Sequence, residues 1–323
     1  MSAPASDPCP LCGSAGGTPK LRIPYEDIWR ALLTQWGASF SEEVRRRHQV
    51  ALEATLVGCN RCDLEYFSPI APGDEAFYEE LMASIPYNED RWDFGVVDRG
   101  VPPGAHVVDF GCGRGAFLRR IAPRVGRAVG VDHNSDAIAD LRAAGVEAHT
   151  SDFELFAQSE RRAFDVVCAF HTLEHLPRVA ILMKPAIECA RDGGRIFISV
   201  PNRDRVGRLP LESLDCPPHH VSRWASGQFR MLADLHRLEL VAVRYEEHNL
   251  SHAIHRFGKR PHSRIDHSSG LGDRRAWAEM IGRLGMGLRR YSRAAWAGRF
   301  TSAHVVGHSM IAEFRVPNRG HLR

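Results

Sequence analysis

The run Val107-Val108-Asp109-Phe110-Gly111-Cys112-Gly113-Arg114-Gly115-Ala116-Phe117-Leu118 does most to limit what this chain can fold into. Two β-branched residues lead into an acid, three glycines alternate through a turn, and an apolar helix start follows. That order is a strand delivering its carboxyl end to a tight loop and a helix N-terminus, where α/β sheets bind ligands. Gly111, Gly113 and Ala116 satisfy the dinucleotide pattern G-x-G-x-x-G/A, but Asp109 argues against that ligand. A pyrophosphate would lie on the loop's N–H groups, and a carboxylate two residues before the first glycine would face it. In a low-dielectric cleft that repulsion costs on the order of several kcal/mol. The same carboxylate is favourable towards a ligand that has no phosphate and offers an ammonium group.

From residue 106 onward strands and helices alternate, the signature of a mostly parallel sheet covered on both faces. Strands are expected at 106–110, 127–132, 146–150, 164–170, 195–200, 238–246 and 304–315. Helices are expected near 115–123, 135–144, 153–159 and 178–190, the last stopped by Asp192-Gly193-Gly194, which also starts a strand. The second strand, Val129-Gly130-Val131-Asp132, ends in an acid 21 residues after Gly111, the position from which a carboxylate accepts hydrogen bonds from both ribose hydroxyls. The third ends in Thr150-Ser151-Asp152-Phe153, an acid for an adenine amino group and a ring for its face. A nucleoside with an ammonium tail and no phosphate describes S-adenosylmethionine.

These segments, with Phe164-Asp165-Val166-Val167-Cys168-Ala169-Phe170-His171-Thr172-Leu173-Glu174-His175-Leu176, Arg191-Asp192-Gly193-Gly194 and Ile196-Phe197-Ile198-Ser199-Val200-Pro201-Asn202, resemble the class I S-adenosylmethionine-dependent methyltransferases. The resemblance covers about residues 100–250 and 303–316. It implies an α/β, Rossmann-like seven-stranded sheet whose last strand is antiparallel. It also implies Asp109 near the ligand's amino group, Gly111, Gly113 and Gly115 beneath its tail, Asp132 on the ribose, and Asp152 with Phe153 at the adenine. His171 would line the pocket after the fourth strand.

Ahead of this unit stand Cys9-Pro10-Leu11-Cys12 and Cys59-Asn60-Arg61-Cys62, separated by 46 residues. Two C-x₂-C knuckles suit tetrahedral Zn²⁺, and Cys9, Cys12, Cys59 and Cys62 would close a structural site with no position for water. Differently paired or unpaired cysteines are the alternative. Within the spacer, Ile28, Leu32, Leu33 and Trp36 recur at helical spacing, and Val44 to Leu56 continues the helical pattern. A further helix is expected from about Asp74 to Met82, and Tyr78, Tyr87, Trp92 and Phe94 give an aromatic cluster just ahead of the glycine loop. These would pack, or cap a cofactor pocket. The double knuckle resembles a bacterial methyltransferase branch with a small N-terminal zinc module.

Methyl transfer to oxygen benefits from a general base. His171 at the fourth strand's end and His220, in Asp215-Cys216-Pro217-Pro218-His219-His220, are the catalytic candidates. His171-Thr172-Leu173-Glu174-His175 also matches the inverted zinc-protease pattern H-x-x-E-H, but Pro177 follows closely and leaves no room for the helix that motif needs. Glu174 and His175 would otherwise only order the loop.

Charge is uneven: the chain carries net +3, yet residues 256–299 hold eleven Arg/Lys against Asp266, Asp273 and Glu279. The remainder is therefore acidic, unlike a uniformly basic nucleic-acid binder. Trp277, Met280, Ile281, Leu284, Leu288, Tyr291 and Ala295 form a helical apolar stripe within this segment, with a charged side that could draw in an anionic acceptor. No run of about 18 apolar residues exists, so no membrane span is expected. The polar start, Met1 to Pro8, lacks an apolar signal core, which predicts a cytoplasmic protein. Eight cysteines in such a chain favour metal binding or free thiols over disulfides.

The expected organisation is a zinc-knuckle and helical module at 1–95, a cofactor-binding catalytic domain at 96–249 and 303–316, and a basic helical insert at 250–302. The expected function is S-adenosylmethionine-dependent methyl transfer to a small molecule, a sugar or other metabolite, at oxygen. The alternatives are an RNA methyltransferase that uses the zinc module to bind RNA, and a non-catalytic regulatory protein of the same fold.

Overall fold

A computed structural model describes residues 7–85, 90–205, 212–247 and 307–318. The basic insert at 250–302, with its apolar stripe from Trp277 to Ala295, lies outside the described residues, as does Tyr87.

The N-terminal region begins with strand β1 (Gly17–Pro24), helix α1 (Tyr25–Trp36), helix α2 (Glu42–His48) and strand β2 (Glu53–Cys59). Strand β3 (Glu65–Ser68) and helices α3 (Glu75–Met82) and α4 (Trp92–Gly100) follow. In α1, Tyr25, Ile28, Trp29 and Leu32 share one buried face, the i, i+3, i+4, i+7 pattern of an amphipathic helix. Gly37 ends it in the left-handed conformation, its N–H donating to the Leu32 and Leu33 carbonyls. Asp74 caps α3 by accepting from the Phe77 N–H at 3.0 Å.

The expected helix across Val44–Leu56 is corrected. It stops at His48, and from Glu53 the chain is strand. Glu-Ala-Thr-Leu-Val-Gly-Cys pairs antiparallel with β1 on one side and β3 on the other. Ladder pairing overrides the local helical spacing here, as tertiary context commonly does.

The main sheet consists of β4 (His106–Phe110), β5 (Arg127–Asp132), β6 (Glu147–Thr150), β7 (Phe164–Phe170), β8 (Ala190–Pro201), β10 (Glu239–Tyr245) and β11 (Ser309–Arg315); a two-residue strand, β9 (Ser222–Arg223), lies elsewhere. Its order is β10-β11-β8-β7-β4-β5-β6. The five strands β6, β5, β4, β7 and β8 are parallel, whereas β11 runs antiparallel between β8 and β10. The fold is therefore the expected α/β seven-stranded, Rossmann-like sheet with its last strand antiparallel.

Helices α5 (Ala116–Ile121), α6 (Ser135–Ala143), α7 (Phe153–Ser159), α8 (Ala180–Cys189) and α9 (Ser226–His236) cover its faces. Residues of β4 alternate between the two cores. Val108 and Phe110 pack with Phe153, Phe156 and Leu182 on one face, and Val107 with Phe117, Ile138 and Leu141 on the other. A strand buried on both sides reads as a continuous apolar run, which is why Asp109 stands out within it. One boundary differs: β8 already begins at Ala190, so Asp192-Gly193-Gly194 lies inside the strand, beside a register shift in its pairing with β7.

The second sheet, β1-β2-β3-β9, joins two distant stretches of the chain, because β9 pairs with β3. Glu65 and Arg223, both buried, form an ion pair at 2.7 Å across that junction. Among the described residues no helix is long and apolar enough to cross a membrane.

Candidate functional site: a glycine loop beside a buried histidine cluster

β4 hydrogen-bonds to β5 on one side and to β7 on the other, so strand order reverses at its carboxyl end, the crevice where open α/β sheets take ligands. Gly111, Gly113 and Gly115 carry φ of 74°, 52° and 70°, backbone that L-residues rarely adopt. At Gly111 a Cβ would come 2.4 Å from Thr172 Oγ1, and at Gly115 2.4 Å from a Leu141 methyl. Gly111 donates its N–H to Val131 O at 2.8 Å, and Gly113 donates to Asp132 Oδ2 at 2.8 Å. Asp132 Oδ1 accepts from Asn134 N–H at 2.9 Å. A carboxylate has about four lone-pair sites, so Asp132 keeps acceptor capacity for two further donors.

Asp109 is only 3% exposed, and its Oδ1 has no hydrogen-bond partner. Burial, with Asp132 and Asp93 adding repulsion against the opposing Arg91, pushes its carboxyl well above the ordinary range. A buried carboxylate left unbonded is costly, and an incoming cation would relieve it. Asp152 is exposed at the start of α7, its Oδ1 3.8 Å from His133 Nε2. Phe153 is buried between Phe110 and His133, with ring centroids at 5.0 and 5.6 Å, so little of its ring is open. His133 is the more exposed ring at this edge.

After β7 the chain turns at His171, whose φ is 51°. A 3-10 turn, Leu173–His175, follows in place of a helix, so His171 and His175 do not share a helical face as an H-x-x-E-H protease requires. His171 Nδ1 lies 3.3 Å from Glu174 Oε1, and its Nε2 lies 3.8 Å from Asp93 Oδ2. Asp93 is fully buried and held by Arg91 and by Ser199 Oγ at 2.7 Å. Glu174 is also fully buried, with neither carboxylate oxygen hydrogen-bonded, and burial pushes its carboxyl up to about 8. Burial likewise lowers His171 well below the usual imidazole range and His175 to about 3.

His175, His219 and His220 converge, each offering a ligand atom within 4.8 Å of the others. The His219 and His220 rings stack at 4.3 Å. His175 Nδ1 lies 2.6 Å from the His219 carbonyl and 2.8 Å from Tyr78 Oη. Asp215 backs His220 at 3.8 Å. Burial opposes ionisation of Asp215, but His220, Arg205 and Arg223 together outweigh it and hold its carboxyl below the usual range. Sequence reasoning selected His171 and His220 from this group. Tyr78 was read only as one of the aromatics that would pack or cap a pocket, Glu174 only as ordering its loop, and Asp93 was passed over, because nothing local marks a carboxylate that another element will bury.

The four knuckle cysteines lie together at the other end of the N-terminal sheet. Cys9 Sγ is 3.5 Å from Cys62 Sγ, and Cys12 Sγ is 3.6 Å from Cys59 Sγ. A tetrahedral zinc at about 2.3 Å from each sulfur sets them about 3.8 Å apart. The knuckles are twins: Gly13 N–H returns to Cys9 O and Asp63 N–H to Cys59 O, both at 2.9 Å. Four thiols at this spacing, in no disulfide, could hold one zinc ion.

A family model described as "Methyltransferase domain" matches residues 93–266, more than half of the chain. The chain belongs to this methyltransferase-domain family. It is similar to a ubiquinone biosynthesis O-methyltransferase of Hahella chejuensis, 32% identical over 123 residues, which are 36% of this chain and 51% of that protein. The corresponding protein of Sodalis glossinidius is 28% identical over 123 residues, 36% of this chain and 49% of its own length. The chain thus spans about half the length of the curated relatives it matches. Among solved structures, an S-adenosylmethionine-dependent methyltransferase from Archaeoglobus fulgidus superposes with TM-score 0.49 at 17% identity, over 74% of this chain and 99% of that one. A putative sarcosine dimethylglycine methyltransferase from Galdieria sulphuraria gives TM-score 0.46 at 16% identity, over 75% and 88%.

Proposed function

We propose that this methyltransferase-family protein transfers a methyl group from S-adenosylmethionine to an oxygen of a small-molecule acceptor. The observation that carries the cofactor reading is Asp109: a buried, partly unbonded carboxylate at the carboxyl end of the central strand, next to a loop of three positive-φ glycines. Such a group repels phosphate and attracts ammonium. The names of the relatives favour oxygen as acceptor atom and a small molecule as acceptor.

In this reading Asp109 pairs with the ammonium of the cofactor's tail. Gly111, Gly113 and Gly115 let the backbone approach it, Asp132 accepts from the ribose hydroxyls, and Asp152 and Phe153 border the adenine. Bound S-adenosylmethionine supplies a methyl group on positively charged sulfur. The protein's part is alignment and exclusion of water. His171, which burial keeps neutral, takes the acceptor's hydroxyl proton, and the buried Asp93 carboxylate, 3.8 Å from Nε2, stabilises the resulting imidazolium; Glu174, 3.3 Å from Nδ1 and raised by burial to about 8, adds its charge only as pH rises through that value. The Cys9, Cys12, Cys59 and Cys62 cluster holds a structural zinc. Residues 1–95, 96–249 with 303–316, and 250–302 are assigned as zinc module, catalytic domain and basic acceptor-side insert, the last attracting an anionic acceptor.

Calorimetry with S-adenosylhomocysteine tests the cofactor reading, and absence of binding refutes it. Transfer of isotope-labelled methyl groups into a metabolite extract, read by mass spectrometry, identifies the acceptor. Label appearing only in RNA would replace the small-molecule assignment.

A further inference from the structure

We propose that His175, His219 and His220, with Glu174 as fourth ligand, form a second metal site, distinct from the cysteine cluster and bordering the methyl-acceptor side of the cleft. The argument starts from Glu174. Its carboxylate is fully buried, and neither oxygen has a hydrogen-bond partner. Its Oε1 nevertheless faces His220 Nε2 at 3.9 Å and His175 Nε2 at 4.0 Å. These separations are too long for hydrogen bonds and slightly wider than the roughly 3.0–3.5 Å between ligand atoms that share one ion at about 2.0–2.2 Å. His175, His220 and Glu174 therefore face one centre; His219, whose ring stacks on His220 at 4.3 Å and 20°, must turn out of that stack to add its nitrogen, because two parallel rings do not aim in-plane lone pairs at one ion. The three histidines converge in the same way, with ligand atoms within 4.8 Å of one another.

Tautomers are set by contacts on the side of each ring away from the centre. The His219 carbonyl, 2.6 Å from His175 Nδ1, can only accept, so Nδ1 carries the proton and Nε2 presents its lone pair to the centre. That carbonyl-oriented imidazole is the usual support of a metal-binding histidine. Asp215 faces His220 Nδ1 at 3.8 Å and gives the second ring a carboxylate backing. His219 Nδ1 is buried without a partner. Three imidazoles and one carboxylate suit Zn²⁺, Fe²⁺, Co²⁺ or Ni²⁺ rather than Mg²⁺ or Ca²⁺, which prefer all-oxygen shells. His171 Nδ1, 3.3 Å from the same Glu174 oxygen, joins this centre to the end of β7. An ion here would hold the acceptor through an oxygen, and that role rests on the function proposed above; binding of the ion does not.

The test is metal content of the full-length protein after removal of adventitious ions and saturation with Zn²⁺. The expected result is two zinc equivalents per chain, with X-ray absorption showing one sulfur shell near about 2.3 Å and one nitrogen/oxygen shell near about 2.0–2.1 Å. His175→Gln/His220→Gln, and separately the near-isosteric Glu174→Gln, are expected to lose the nitrogen/oxygen shell and keep the sulfur shell. Cys9→Ser is expected to do the reverse. One equivalent with a pure sulfur shell in the wild type would overturn the site, as would two equivalents retained in the folded His175→Gln/His220→Gln protein. Binding of S-adenosylhomocysteine is read separately, so a failed cofactor cleft and a failed metal site give different results.

Discussion

Replacing Asp109 by Asn keeps the side chain's size and removes only its charge, so it isolates what that charge does. In the ligand-free protein the carboxyl is buried, lacks a partner at Oδ1, and is pushed up by burial and by Asp132. Asp109→Asn is therefore expected to leave the melting temperature unchanged or raise it. Its effect on cofactor binding should be the opposite. A hydrogen bond to a charged group contributes about 1.5–3 kcal/mol, equivalent to about a 10- to 150-fold loss in affinity. The pH dependence adds a second readout. Because the folded pKa is raised, the stability tied to Asp109's proton is fully present below its unfolded value and is lost as pH rises through the folded value. An ammonium ligand favours the ionised form, so binding releases a proton below the folded pKa, and affinity climbs with pH until that pKa is passed. Titration calorimetry with S-adenosylhomocysteine in buffers of different ionisation enthalpy counts that proton. Equal affinity in Asp109→Asn, or the same proton release from the variant, would refute the assignment of Asp109 to the ammonium.

Cys9→Ser is expected to lose the sulfur-bound zinc; an ion present at a hundredfold over its Kd contributes about 2.7 kcal/mol, so the melting temperature should fall by about 5–10 °C, and an unchanged melt would show that the cysteines hold nothing structural. Gly111→Ala places a methyl 2.4 Å from Thr172 Oγ1 at a φ of 74°, adding about 1–2 kcal/mol of backbone strain to the clash; weaker binding of S-adenosylhomocysteine and a lower melting temperature are expected, and wild-type values would contradict the tight loop geometry. Arg223→Met removes the buried 2.7 Å pair with Glu65 and leaves Lys20 Nζ, 3.1 Å from Oε1, as that carboxylate's cation, costing about 1.5–3 kcal/mol, whereas Glu65→Leu/Arg223→Met should recover part of that stability in chemical denaturation; a double variant no better than the single one would mean that the pair is not what joins β3 to β9.

The catalytic half was legible because its signals are local. β4, β5 and β7 lie at 106–110, 127–132 and 164–170 as periodicity and composition place them, and α7 occupies 153–159. The glycine loop could be read because the positive φ of Gly111, Gly113 and Gly115 strongly favours glycine, and three glycines at alternate positions mark it in the sequence. The N-terminal region was less legible because long-range pairing decides it: β2 takes its form from β1 and β3, and β9 joins that sheet from more than 150 residues away. The same reasoning explains the site. Asp109 is conspicuous inside an apolar strand, but Glu174 looks like any loop glutamate until Val221, whose N–H donates to the Glu174 carbonyl at 3.0 Å, brings the His219-His220 loop over it.

That loop shows why a cysteine cluster far along the N-terminal sheet bears on the chemistry. Phe67 N–H donates to Val221 O and Gly73 N–H to Pro218 O, so β3 and the irregular segment after it hold both sides of His219-His220. Tyr78, on α3, reaches His175 Nδ1 at 2.8 Å and the His219 carbonyl at 3.2 Å. At the opposite end of the same sheet, Gln228 Nε2 donates to Cys62 O at 2.7 Å and Val179 N–H to Pro10 O at 3.1 Å. The knuckles are thereby fastened directly to α9 and to the start of α8. An ion closing the four thiols would fix β2, β2 would fix β3, and β3 would fix the residues on either side of the histidine pair. The cysteine cluster is thus built into the same sheet that carries the histidine segment rather than tethered beside it. Loss of an ion from the four thiols should therefore loosen the β3 contacts to the His219-His220 segment, with the imidazoles still close enough to share an ion, before it disturbs the glycine loop, which draws its hydrogen bonds from β5 and from the loop's own backbone.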